Sequence, residues 1–144
     1  MNEDNWLVTM SSIDGLPAAI RLRTDVKPFI AGGNHSHYLR VVWELSEADE
    51  RGLPSDEEIQ RLASFEDHLC RVLEADDHAI LTFVITNDGL RQWLFYTQDL
   101  EESEHRVNQV PQEAERYPIE LTAQEDALWS QYDLVAEWFS EGEA

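Results

Sequence analysis

A chain of 144 residues with a hydrophobic fraction of 42% and five Trp, five Phe and four Tyr has apolar area for one core and too little length for two comfortable ones. Its formal net charge of −20, from 30 acids against 10 bases, repels a phosphate backbone and so argues against direct nucleic-acid binding, while it would attract a basic protein surface. The charge is uneven: residues 1–46 carry five acids and four bases, a net of −1, and residues 47–144 carry the remaining −19.

One domain spanning residues 1–144 is therefore expected. No apolar run reaches the ~18–20 residues that cross a bilayer, so no membrane partner is expected. The opening MNEDNWLV is acidic where a secretory signal is basic and then apolar, which points to the cytoplasm. The single cysteine, Cys70, has no internal partner and sits in a helix-like stretch beside Leu69 and Val72, as a buried structural thiol would.

In chain order, NWLVTMSS and AAIRLRT read as two extended runs joined at Asp14-Gly15, a hairpin whose turn ends at Pro17. KPFIAGGNHS reads as a glycine-bearing loop and HYLRVVWELS as a third strand. GLPSDEEIQRLASFEDHLCRVLEA is the clearest helix. Ser55 and Glu58 form a capping box, Asp56 and Glu57 suit the helix dipole, and Ile59, Leu62, Phe65, Leu69, Val72 and Leu73 share one face. HAILTFVIT and LRQWLFYTQD flank the turn Asn87-Asp88-Gly89 as a second hairpin. Leu81, Phe83 and Ile85 are expected on one side of its first strand, with Ile80 and Val84 on the other, both faces being covered. From Asp99 an exposed acidic helix is expected to run to Pro111. YPIELTA then reads as a strand and QEDALWSQYDLVAEWF as a closing helix with Leu128, Trp129, Tyr132, Val135, Ala136 and Phe139 inward. The order predicts an antiparallel sheet of hairpins with helices packed on one face, a ferredoxin-like arrangement being one such form.

The stretches GLPSDEEIQRLASFEDHLCRVL, FVITNDGLRQWLFYTQD and EDALWSQYDLV, with the opening WLVTMSSIDGLPAAIRLR, resemble a bacterial family known as domain of unknown function 695. The resemblance covers nearly the whole chain and implies a small α+β fold without an assigned activity. The hairpin and the final segment are more faintly similar to the regulator of ribonuclease activity B family, which implies an acidic, ferredoxin-like protein that binds and restrains a ribonuclease. Neither resemblance places a catalytic residue on this chain.

Two candidate sites follow from the residues. In GGNHSHY, His35 and His37 alternate about one residue and would point to the same side if extended, as a two-histidine metal site needs. His68, His78 and His105 are too scattered to name as the missing ligand, and no Gly-Lys-Ser/Thr follows the glycines to hold phosphate. A small metal-dependent hydrolase on that loop is the alternative reading. The other candidate is the acidic run Asp99, Glu101, Glu102 and Glu104, an anionic docking surface for which Trp93 or Tyr96 would be an aromatic anchor if exposed. The expected function is a non-catalytic regulator or inhibitor of a basic protein such as a nuclease or toxin, with no cofactor. A homodimer through an exposed edge strand, or through an apolar patch around Trp138, is a third reading.

Overall fold

The computed structural model describes residues 5–46, 48–110 and 118–142. Strands β1 (Trp6–Ile13), β2 (Leu16–Arg23), β3 (His37–Glu44), β4 (Ala79–Asn87), β5 (Leu90–Thr97) and β6 (Ile119–Glu125) form one antiparallel sheet in the order β1-β2-β4-β5-β3-β6. Helices α1 (Lys27–Gly32), α2 (Asp56–Leu73), α3 (Leu100–Val107) and α4 (Ser130–Gly142) complete the fold. The segment β3-α2-β4-β5-α3-β6 is a β-α-β-β-α-β unit with its strands ordered β4-β5-β3-β6, the ferredoxin-like pattern. The β1–β2 hairpin lengthens that sheet beside β4.

Both hairpin turns follow from their residues. Asp14 and Gly15 have φ of 52° and 83°, and Asp88 and Gly89 have 51° and 79°, the pair of left-handed residues that a two-residue turn requires.

The helices lie on both faces of the sheet, not one. α2 and α3 cover the face that presents Leu39, Val41, Trp43, Leu81, Val84, Trp93 and Phe95. α1 and α4 cover the opposite face, where Ala18, Ile20, Leu22, Ile80, Phe83, Ile85, Leu94 and Tyr96 pack with Val26, Trp129 and Val135. Strands apolar on both sides need this double cover, and β4 is buried from Ala79 to Thr86.

The expected alternation in β4 breaks at a bulge between Leu81 and Phe83. Thr82, the extra residue, sends its hydroxyl to the Leu94 carbonyl at 2.9 Å. One added residue reverses the alternation, so Leu81 and Val84 share the α2 face while Ile80, Phe83 and Ile85 share the other.

Other expectations shift for local reasons. The loop 27–36 contains α1, started by Pro28 and ended at Gly33, whose φ of 69° is a left-handed cap. Those glycines end a helix. Ile59 is 43% exposed, and the buried face of α2 instead includes the acids Glu58 and Glu66. α3 stops at Val107; Pro111 lies outside the described residues. Leu128 is 81% exposed because α4 starts only at Ser130, after Trp129 has taken a φ of 57° and turned its ring inward.

Candidate functional site

Asp99 caps α3 by accepting a hydrogen bond from the Glu102 N–H at 3.2 Å, so the acidic run is wound into the first turns of that helix. The helix is fixed from beneath by a buried polar cluster. His78 Nε2 lies 2.8 Å from Ser103 Oγ and 3.2 Å from Thr97 Oγ1, the two hydroxyls are 2.7 Å apart, and Ser103 donates to the Asp99 carbonyl at 2.9 Å. Burial, and then the nearby Arg106, hold the His78 imidazole below its ordinary pKa and favour its neutral form. Ser103 and Thr97 are fully buried. Buried as they are, these groups locate α3 against the sheet.

Arg106 ties the other end of α3 to the end of α2. It donates to Glu102 at 3.0 Å, to Asp76 at 2.9 Å and to the carbonyls of Val72 and Ala75 at 3.1 Å. The hydrogen bond from the Arg106 guanidinium keeps the Asp76 carboxyl below the usual carboxylate range. Asp76 and Asp77 have φ of 53° and 55°, an uncommon pair of left-handed residues that these contacts hold in place. Two acids of the region, Asp76 and Glu102, are thus neutralised internally. Glu101 and Glu104 face solvent without an ion pair among the described residues.

Between α3 and the sheet lies a cleft of about 150 Å³, lined by Leu39, Leu100, Glu104, Leu121, Thr122 and Ala123. Its floor is apolar because Leu39 and Leu121 occupy paired strands, β3 and β6, on the α3 side. Its one charged wall is Glu104. β6 ends the sheet, so its outer backbone groups border the cleft unpaired by any described strand.

The aromatic residues named with the acidic run are elsewhere. Trp93 is fully buried under α2, where its Nε1 donates to Glu66 at 2.8 Å. Tyr96 is fully buried on the opposite face, stacked on Trp129 with ring centroids 4.0 Å apart, and donates to Asp126 at 2.7 Å. Neither can anchor a partner, since β5 is central and covered on both sides.

His35 and His37 are not drawn together as a site. His35 is buried against the edge of Phe29 and donates from Nε2 to the Asp77 carbonyl at 2.8 Å, which commits that nitrogen to a proton. His37 Nδ1 pairs with Ser36 Oγ at 3.1 Å. Among the described residues no group of three or more His, Cys, Asp or Glu side chains could hold a metal ion. Cys70 is buried as expected, and burial, followed by the charges of Glu74 and Glu66, pushes its thiol well above the ordinary value. No described helix is long and apolar enough to cross a membrane.

Sequence reasoning missed a third cluster, the two buried acids of α2. Glu58 accepts hydrogen bonds from Trp43 Nε1 at 3.1 Å and from the backbone and hydroxyl of Ser46 at 2.9 and 3.1 Å. Glu66 accepts from Trp93 and pairs with Arg21. Indole N–H groups on the strands facing α2 were the available signal, because a buried donor needs an acceptor.

Fold and site together define a ferredoxin-like α+β protein, extended by one hairpin and two helices, with an acid-walled apolar cleft at a sheet edge. The chain belongs to the family of unknown function DUF695, which matches residues 4–135. No curated protein and no solved structure shows a significant match, so the fainter likeness to the regulator of ribonuclease activity B family gains no support there.

Proposed function

We propose that the protein is a non-catalytic regulator that docks a basic protein, such as a nuclease or toxin, on the cleft between α3 and β6. The supporting observation is the composition of that cleft: an apolar floor of Leu39, Leu100 and Leu121 beside a single carboxylate, Glu104. A lysine or arginine suits such a site, because its aliphatic stem covers apolar surface while its charged head stays at the rim. Glu101 and Asp99 lie on the same acidic helix start, and the net charge of −20 speeds approach of a basic surface. Where the partner's basic site serves nucleic acid, these carboxylates occupy the places of phosphates.

The test compares two double reversals of equal charge. Glu101→Lys with Glu104→Lys alters the cleft, while Asp67→Lys with Glu137→Lys alters exposed positions on α2 and α4. Tagged wild-type protein in its native lysate at low salt should retain a basic protein that the first variant loses and the second keeps. Equal retention by both variants means that bulk charge binds, and the cleft reading fails.

A further inference from the structure

β1 is an eight-residue edge strand, WLVTMSSI, without one charged residue, in a chain of net charge −20. Edge strands that stay single are ordinarily protected by charge, proline or a bulge. β1 has none of these, since its pairing with β2 is continuous from Trp6↔Arg23 to Ile13↔Leu16.

The register shows which backbone groups of β1 no described strand pairs. Residues flanking a two-residue turn exchange both hydrogen bonds, so Ile13↔Leu16 is a bonded pair, and Ser11↔Ala18, Thr9↔Ile20 and Leu7↔Leu22 follow at alternate positions. The Thr24 N–H donating to the Asn5 carbonyl at 2.7 Å continues that series. Trp6, Val8, Met10 and Ser12 therefore aim their N–H and C=O groups away from the sheet. Val8 and Met10 are also the residues whose side chains are 72% and 61% exposed, both on the α2 face. Free backbone and exposed apolar side chains coincide on the same residues.

We infer that β1 pairs with β1 of a second copy of this chain, antiparallel about a two-fold axis, joining two six-stranded sheets into one. An isologous pairing sets the Val8 and Met10 row of one copy beside the same row of the other on a common face, covering both. Charge selects this partner. Residues 47–144 carry −19, so two copies repel across most of their surface, whereas residues 1–46 carry −1 and β1 itself carries none. The neutral strand is where two such chains can meet, and a basic partner gains nothing there. The inference stands apart from the docking cleft, which lies at the opposite edge of the sheet.

The experiment is light scattering on the eluting full chain from low micromolar to about 100 μM, at low and at high salt. Wild type should reach twice the monomer mass and dimerise more tightly as salt rises, because salt screens the repulsion between the acidic bodies. Val8→Lys, at a position already solvent-exposed, should elute as a folded monomer, with its fold checked by circular dichroism. Leu134→Lys, an exposed leucine on α4, should remain a dimer. A wild type that stays monomeric throughout leaves the edge to some other strand and overturns the self-pairing. So does a dimer that survives Val8→Lys, or one that salt dissociates.

Discussion

Removing the Glu66 carboxylate strands two donors at once, the indole N–H of buried Trp93 and the guanidinium of Arg21. Arg21 already crowds Arg91, whose pKa burial first and Arg21 second bring down to about 10, with Glu66 opposing. Glu66→Ala leaves the two cations to repel each other and a dry indole without an acceptor, so a loss of about 2–4 kcal/mol is expected, discounted from the cost of a fully buried pair because Arg21 is partly solvated. Glu66→Gln, which keeps an acceptor oxygen, should cost clearly less. Urea unfolding of both variants measures this; a loss under about 1 kcal/mol for the alanine variant would show the carboxylate to be incidental. In the sequence Glu66 stood beside Asp67 as one of 30 acids, and residue type alone did not separate the buried one from the solvated one. The helical phase did carry the information, since Glu66 falls between Leu62, Leu69 and Cys70 on the inner side.

At the scale of elements, the Gly-Leu-Pro segment before α2 is fixed by what it touches. The Gly52 carbonyl accepts from the Gly89 N–H at 2.9 Å, and the Leu45 N–H donates to the Gly89 carbonyl at 2.9 Å, so the lead-in to α2 clasps the β4–β5 turn. A Cβ on Gly52 would lie 2.7 Å from the Asp88 Cα and 2.9 Å from two backbone nitrogens, at a φ of +81°. Neither backbone can yield without breaking the turn, so Gly52→Ala should destabilise by about 2–4 kcal/mol, from conformational strain plus overpacking. Gly33→Ala, at a φ of +69° with open space around it, should cost only about 1 kcal/mol. If the two variants unfold at the same urea concentration, close approach is not what Gly52 provides. Strands, hairpin turns and the capped start of α2 were legible because each rests on local chemistry: β-branched runs, Asp-Gly pairs, and Ser55 accepting from the Glu58 N–H at 3.3 Å. The Thr82 bulge and the placement of α1 and α4 on the second face were not, because both answer to neighbours distant in sequence. The docking cleft was half legible. Its acids lay in one run, but its floor joins Leu39 to Leu121 only through the pairing of β3 with β6.

For the whole molecule, 30 acids against 10 bases make self-repulsion the dominant long-range term, and several of the bases are already committed to local partners. Arg23 pairs with Asp25 and Glu74, Arg51 with Asp49, and Arg106 with Asp76 and Glu102. Most of these pairs are at least partly solvated, so each is weak and salt weakens it further. The repulsion among the remaining carboxylates is spread over distances that a Debye length of about 30 Å at 0.01 M leaves unscreened and one of about 10 Å at 0.1 M largely removes. Two opposite responses to salt compete, and the excess of acids decides between them. Unfolding lets the chain expand and relieves the repulsion, so the folded state gains more from screening than it loses from weakened pairs. The urea midpoint of the monomeric Val8→Lys variant, in which self-association does not intervene, should therefore rise between about 0.01 and 0.5 M NaCl, by an amount equivalent to roughly 1–2 kcal/mol. A midpoint that falls over that range would mean that the ion pairs outweigh the net charge.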